Sequence, residues 1–395
     1  MAPAFSSHDG PVPVKNFRTD IQGLRAVAVL LVVFAHAGFA GFDGGFVGVD
    51  VFFVISGYVI TSLLMRQPAR HVMHNLRHFY ARRVLRIVPA ATVVIVATVF
   101  AAYFIQGVYF DPTLLEDARW ATFFSANFRL ISTTTDYFIQ GVEPSLMTHF
   151  WSLAVEEQFY FFYPVIVFAL TWLGSDQHRV RNLRNFLLIA VATSAAWSVY
   201  YTAASHIEAY YSPLTRFWEL ALGGLVATLP VLAIRHKYVI NNILALVAVA
   251  VLAISVALLS PLSVFPGALA WWPCGAAAVI LWTGKANAHG GPAMWLSWKP
   301  LTYIGDVSYS FYLWHFGWLM LPKQIDFFAH NSFAPLIQIA GAFICAVISY
   351  HFLENPIRHS KRLTKDGVAV AILLLVCLAI SWDATLIVEQ LYLNS

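Results

Sequence analysis

Eleven apolar runs, each near the roughly 20 residues that carry a helix across a bilayer, follow one another along most of this 395-residue chain. They cover approximately residues 24–42, 46–64, 87–106, 153–173, 186–204, 216–234, 239–260, 268–283, 304–321, 333–352 and 368–388. In lipid every backbone polar group must be satisfied within its own element, so long apolar runs of this kind can only be helices. Charged residues make up 11% of the chain, against about 25% in soluble domains. The expected fold is therefore all-α, a polytopic transmembrane helical bundle.

The basic residues give it a direction. With the N-terminus placed in the cytoplasm, 20 of the 24 Lys and Arg fall on cytoplasmic segments, leaving only Arg119, Arg129, Arg216 and Lys323 outside. This positive-inside bias supports the helix count, and an odd count sends the C-terminus to the extracytoplasmic side. The net charge of +4 thus reflects topology and offers no nucleic-acid surface. Cys274, Cys345 and Cys377 lie in three different apolar runs, neither a disulfide framework nor a metal spacing.

Polar residues inside such runs are costly and call for a partner or a task. Arg25 and His36 are eleven residues apart, so they share a face of the first helix about 16 Å apart along its axis. A snorkelling arginine with a hydrogen-bonded histidine and a working pair are both open on residues alone. In "GGFVGVDVFFVISGYVIT", Gly48, Phe52 and Ser56 share a face suited to close helix packing, and Asp50 lies near enough to the first turn to orient His36. In "FYARRVLRIVP", Arg82, Arg83 and Arg86 crowd the start of the third run. They suit either topology and anionic lipid or a phosphorylated ligand, since guanidinium matches phosphate bidentately. In "MTHFWSLAVEEQFYFFYP", His149, Ser152 and Glu156 share a face, while Glu157 points elsewhere and reads as structural. In "YIGDVSYSFYLWHF", Gly305, Ser308, Tyr312 and His315 form a polar stripe. Glu219 has Arg216 one turn before it as a local partner. Convergence of these faces would form one buried aqueous pocket with His36 at its heart.

These motifs, in order and together with "FLENPIR", resemble the acyltransferase family 3 membrane proteins, which include bacterial O-antigen acetylases. The resemblance implies a ten-helix core, here residues 21–355, behind an N-terminal tail at 1–20 and followed by an eleventh helix at 366–388. It implies acetyl transfer from cytoplasmic acetyl-CoA to a glycan or lipid-linked glycan, such as the O-antigen of lipopolysaccharide, beyond the bacterial inner membrane, without a metal. It makes the Arg25–His36 pair catalytic and gives Arg83 and Arg86, with Arg82 beside them, the donor. On the residues themselves, Asp50 or Glu156 is expected to orient the imidazole, with Ser56, His149, Ser152, Tyr312 and His315 lining the cavity. Members acting on glycans often carry an extracytoplasmic SGNH-hydrolase-like domain, and the resemblance implies such a domain or protein as a partner. The rival expectation is a proton-coupled secondary transporter, since intramembrane Glu and His can relay protons.

Overall fold

The computed structural model describes residues 18–66, 72–138, 144–172, 176–231, 237–286, 290–321, 325, 328 and 331–394. Most of the segment expected to be an N-terminal tail, residues 1–17, lies outside them. The described residues contain no strand. The principal helices are α1 (Thr19–His36), α2 (Gly48–Met65), α3 (Val72–Gln106), α4 (Phe150–Trp172), α5 (Asp176–Ala204) and α6 (Pro213–Thr228). They continue with α7 (Lys237–Leu258), α8 (Trp271–Thr283), α9 (Lys299–Met320), α10 (Ala334–Ser349) and α11 (Gly367–Leu393).

Among the described residues, eight helices are long and apolar enough to cross a membrane. The other three, α6, α8 and α9, fall where the sequence predicts spans, but α6 and α8 are shorter than expected. The backbone turns extended at Leu229, ahead of Pro230, and α8 starts only at Trp271, after a loop containing Pro266 and Gly267. By contrast α3 has 35 residues, about 52 Å of helix, well beyond the hydrocarbon thickness. Its first turns carry Arg77, Arg82 and Arg83 and bury Asn75 and Phe79 against neighbouring elements.

Local chemistry sets the helix ends. Proline occupies the first turn of α6, α9 and α10, where no intrahelical N–H is needed. The Asp366 carboxylate accepts from the Val368 and Ala369 amides at 2.9 and 3.1 Å and caps α11. Past α1, Gly38 and Gly41 take φ of 73° and 83°, which turns the chain back towards α2. After α10 the helix widens into a π turn at Tyr350–Glu354 and resumes at Asn355–Arg358.

Small residues bring the central helices close. A Cβ on Gly57 of α2 would collide with the Leu220 carbonyl of α6, and one on Gly223 of α6 with the Val54 carbonyl of α2. Gly305 of α9 meets the Gln22 carbonyl of α1 in the same way. The side chains of Arg18 and Lys285 tie one end of the bundle together. Arg18 donates to the Tyr58 hydroxyl at 2.9 Å and the Leu281 carbonyl at 3.0 Å. Lys285 donates to the Val226, Ala227 and Leu229 carbonyls at 2.6–3.0 Å, where α6 terminates. This basic end also holds the starts of α1, α3 and α9.

Candidate active site

Five helices converge on a cavity that opens towards the basic end. Arg25 enters from α1, Ser56 from α2, Arg83 and Arg86 from α3, Glu156 and Tyr160 from α4, and Ser308 and Tyr312 from α9. Arg25 donates to the Ser308 hydroxyl at 2.9 Å. Arg83 stacks its guanidinium 4.0 Å from the Tyr160 ring centroid. One oxygen of Glu156 accepts from both the Ser56 and Tyr160 hydroxyls. Glu157 lines the same cavity, so the expectation that it points elsewhere fails.

A second acidic contact comes from the π turn. Glu354, buried, accepts from the Ser310 hydroxyl at 2.9 Å and lies 3.9 Å from Arg86. The widened turn sets this carboxylate against α3 and α9 at once. Its motif, "FLENPIR", carries the family resemblance, but nothing in its spacing announces the Arg86 contact. Tyr160 was legible in principle, one helical turn beyond Glu156 on the same face.

His36 does not line this cavity. It lies at the far end of α1, beside a separate pocket that includes Gly38, Leu319, Asn331 and Gln338. Three histidines meet behind the cavity's inner wall. His36 Nδ1 is 3.0 Å from His315 Nε2, and His36 Nε2 is 2.7 Å from the Tyr137 hydroxyl. His149 Nε2 contacts the Leu313 carbonyl at 3.2 Å, and its ring stacks on Phe316. The Tyr312 hydroxyl faces the cavity, 2.7 Å from Ser152 Oγ and 3.1 Å from the His149 carbonyl, which it can donate to. The single pocket centred on His36 is thus replaced by two pockets with a wall of Tyr312, His315 and Phe316 between them. Eleven residues of helix rise separate Arg25 from His36, and that length places them in different chambers.

The expected lining residues divide accordingly. Ser56, Ser152 and Tyr312 border the cavity, whereas His149 and His315 lie behind it. His149 precedes the first turn of α4, and His315 sits nearly one turn farther along α9 than Tyr312. Arg82 is exposed on the outer face of α3 and does not reach the cavity. Asp50 does not orient His36. Its carboxylate accepts from Arg216 at 2.8 Å, and Arg216 also reaches Glu219 at 3.0 Å and the Tyr210 carbonyl at 3.0 Å. Trp151, Tyr210 and Phe265 pack their rings around the same guanidinium. The expected Arg216–Glu219 pair is present, and Asp50 is its third member. Cys274 lies within 4.8 Å of both carboxylates, but the guanidinium already supplies the counter-charge there. Tyr137, on a loop with no periodic pattern, gave no signal in the sequence.

A family model described as an acyltransferase domain matches residues 18–354. The chain is 32% identical over 368 residues to the peptidoglycan O-acetyltransferase OatA of Listeria monocytogenes, covering 87% of this chain and 56% of that protein. It is 31% identical over 353 residues to the putative peptidoglycan O-acetyltransferase YrhL of Bacillus subtilis, covering 86% and 54%. To the O-acetyltransferase OatA of Staphylococcus aureus it is 31% identical over 356 residues, covering 86% and 57%. The chain therefore spans somewhat more than half the length of these relatives. No solved structure matches it. With the family's domain running through all the helices that build the cavity and the histidine cluster, the chain belongs to the acyltransferase 3 family of membrane proteins.

Proposed function

We propose that the chain is a membrane-bound O-acetyltransferase that accepts an acetyl group from cytoplasmic acetyl-CoA and delivers it across the membrane to a glycan hydroxyl. The observation that carries this reading is the pairing of a guanidinium-lined cavity open at the basic end with an imidazole beside a separate pocket at the other. CoA carries phosphates at one end and a thioester on a long flexible arm. Arg83 and Arg86 suit the phosphates, and Arg25 supports a carbonyl or phosphate deeper in the cavity. His36 acts as general base on the acceptor hydroxyl. For transfer the thioester tip passes the wall beside Tyr312 to reach the hydroxyl held at His36; a C–O bond forms as the thioester C–S bond breaks, the hydroxyl proton passes to His36, and His36 returns it to the CoA thiolate. Base catalysis of this kind contributes about 100- to 10,000-fold.

In this reading the basic end faces the bacterial cytoplasm, and the protein resides in the cytoplasmic membrane. The acceptor is a surface glycan, with peptidoglycan favoured over O-antigen by the names of the similar proteins. An SGNH-type extracytoplasmic domain or protein completes delivery. In purified protein with radiolabelled acetyl-CoA, His36→Ala should abolish acetyl transfer while acetyl-CoA still raises the melting temperature. Arg83→Ala combined with Arg86→Ala should lose that thermal stabilisation first. Normal transfer by His36→Ala would overturn the assignment of the base. A protein whose melting ignores acetyl-CoA would favour the transporter alternative.

A further inference from the structure

The protons of the histidine pair can be placed from the acceptors that flank it. A backbone carbonyl can only accept. The 2.5 Å contact between His315 Nδ1 and the Tyr312 carbonyl therefore puts a proton on His315 Nδ1. His315 is wholly buried among backbone carbonyls of its own helix, His36, His149, Tyr312 and Phe316. A second proton on its ring would be a buried charge with no carboxylate beside it. The ring is accordingly neutral, with a lone pair at Nε2. The 3.0 Å contact to that lone pair then requires His36 Nδ1 to donate. In the neutral ring that a general base requires, His36 Nε2 is then unprotonated and accepts from the Tyr137 hydroxyl, 2.7 Å away.

Neither carboxylate expected to orient the imidazole does so. Asp50 is held by Arg216, and Glu156 by Ser56 and Tyr160. We infer that His315 is a positioning residue that fixes the tautomer of His36, holding its Nδ1 proton so that the basic lone pair at Nε2 faces Tyr137. The inference rests on the reading of His36 as the base. An acceptor hydroxyl entering from the neighbouring pocket takes the place of the Tyr137 hydroxyl on that lone pair. When His36 gains the proton, its Nδ1–H still has His315 Nε2 as a neutral acceptor.

The test uses the full chain in nanodiscs, with acetyl-CoA as donor and a soluble N-acetylglucosamine oligosaccharide as acceptor, following release of the CoA thiol. His315→Phe removes the acceptor for His36 Nδ1–H, and His315→Gln can replace it with an amide oxygen. His315→Phe should lower kcat by about 100-fold or more with KM for acetyl-CoA nearly unchanged. His315→Gln should remain within about tenfold of the wild type. Equal losses in both variants with KM raised, or a fully active His315→Phe, would overturn the inference. Histidine ¹⁵N NMR of the wild-type protein, assigned by the signal missing from His36→Gln, gives an answer that does not depend on either variant folding. It should show His36 protonated at Nδ1, and protonation at Nε2 instead would overturn the inference. Normal turnover by His36→Ala would instead refute the general-base reading and leave the NMR result standing.

Discussion

At the scale of single residues, the fate of Asp50 is the most instructive. Its place just past a short turn after His36 suggested a neighbour of the imidazole. Its actual partner, Arg216, is 166 positions away in sequence, and no spacing rule spans that distance. The local half of the same cluster, Arg216 with Glu219 at i,i+3, was legible because helix geometry makes those positions neighbours. Arg216 is 1% exposed and holds two carboxylates of α2 and α6. Its replacement by Met leaves both without a counter-charge, at a cost of about 3–5 kcal/mol. Thermal unfolding in detergent should show a marked drop in Tm for Arg216→Met. Adding Asp50→Asn and Glu219→Gln should recover part of it, and an unchanged Tm in Arg216→Met would refute the role. The Arg25–His36 spacing was read correctly as one helix face. It gave no hint that the two ends of that face open into different chambers.

Among the helices, existence and order were legible, because apolar length is written directly in the chain. Lengths were less so. The expected spans at 216–234 and 268–283 became the shorter α6 and α8, since an extended residue before Pro230 and a Pro- and Gly-bearing loop cut them back. What these short helices lose in length they regain in intimacy. α6 lies against α2 with glycines on both sides of the contact. Gly223→Val forces a branched side chain into the Val54 carbonyl and should destabilise the protein by about 1–3 kcal/mol, as overpacking does. Gly275→Ala on α8 meets nothing within 4 Å and should leave Tm unchanged. Equal melting of the two variants would show that the α2–α6 contact is not the tight one. The π turn after α10 was invisible in the sequence, because the extra residue in its hydrogen-bonded ring leaves no compositional mark.

For the molecule as a whole, the proposed orientation makes a sidedness prediction. Arg82, exposed on α3 at the basic end, and Ser332, exposed just before α10 at the other, should lie on opposite faces of the membrane. In a background with Cys274, Cys345 and Cys377 replaced by serine, Arg82→Cys should react with an impermeant maleimide only in inside-out vesicles. Ser332→Cys should react only in intact cells stripped of their outer layers. Labelling of both from one side would contradict the topology. The wall of Tyr312, His315 and Phe316 between the two pockets has a further bearing on a cell that stores energy as an ion gradient. In the proposed reading an acyl group crosses this wall from one pocket to the other rather than following a continuous aqueous thread through the bilayer. An acetyltransferase that works as proposed would serve substrates on both faces of an energised membrane without short-circuiting it.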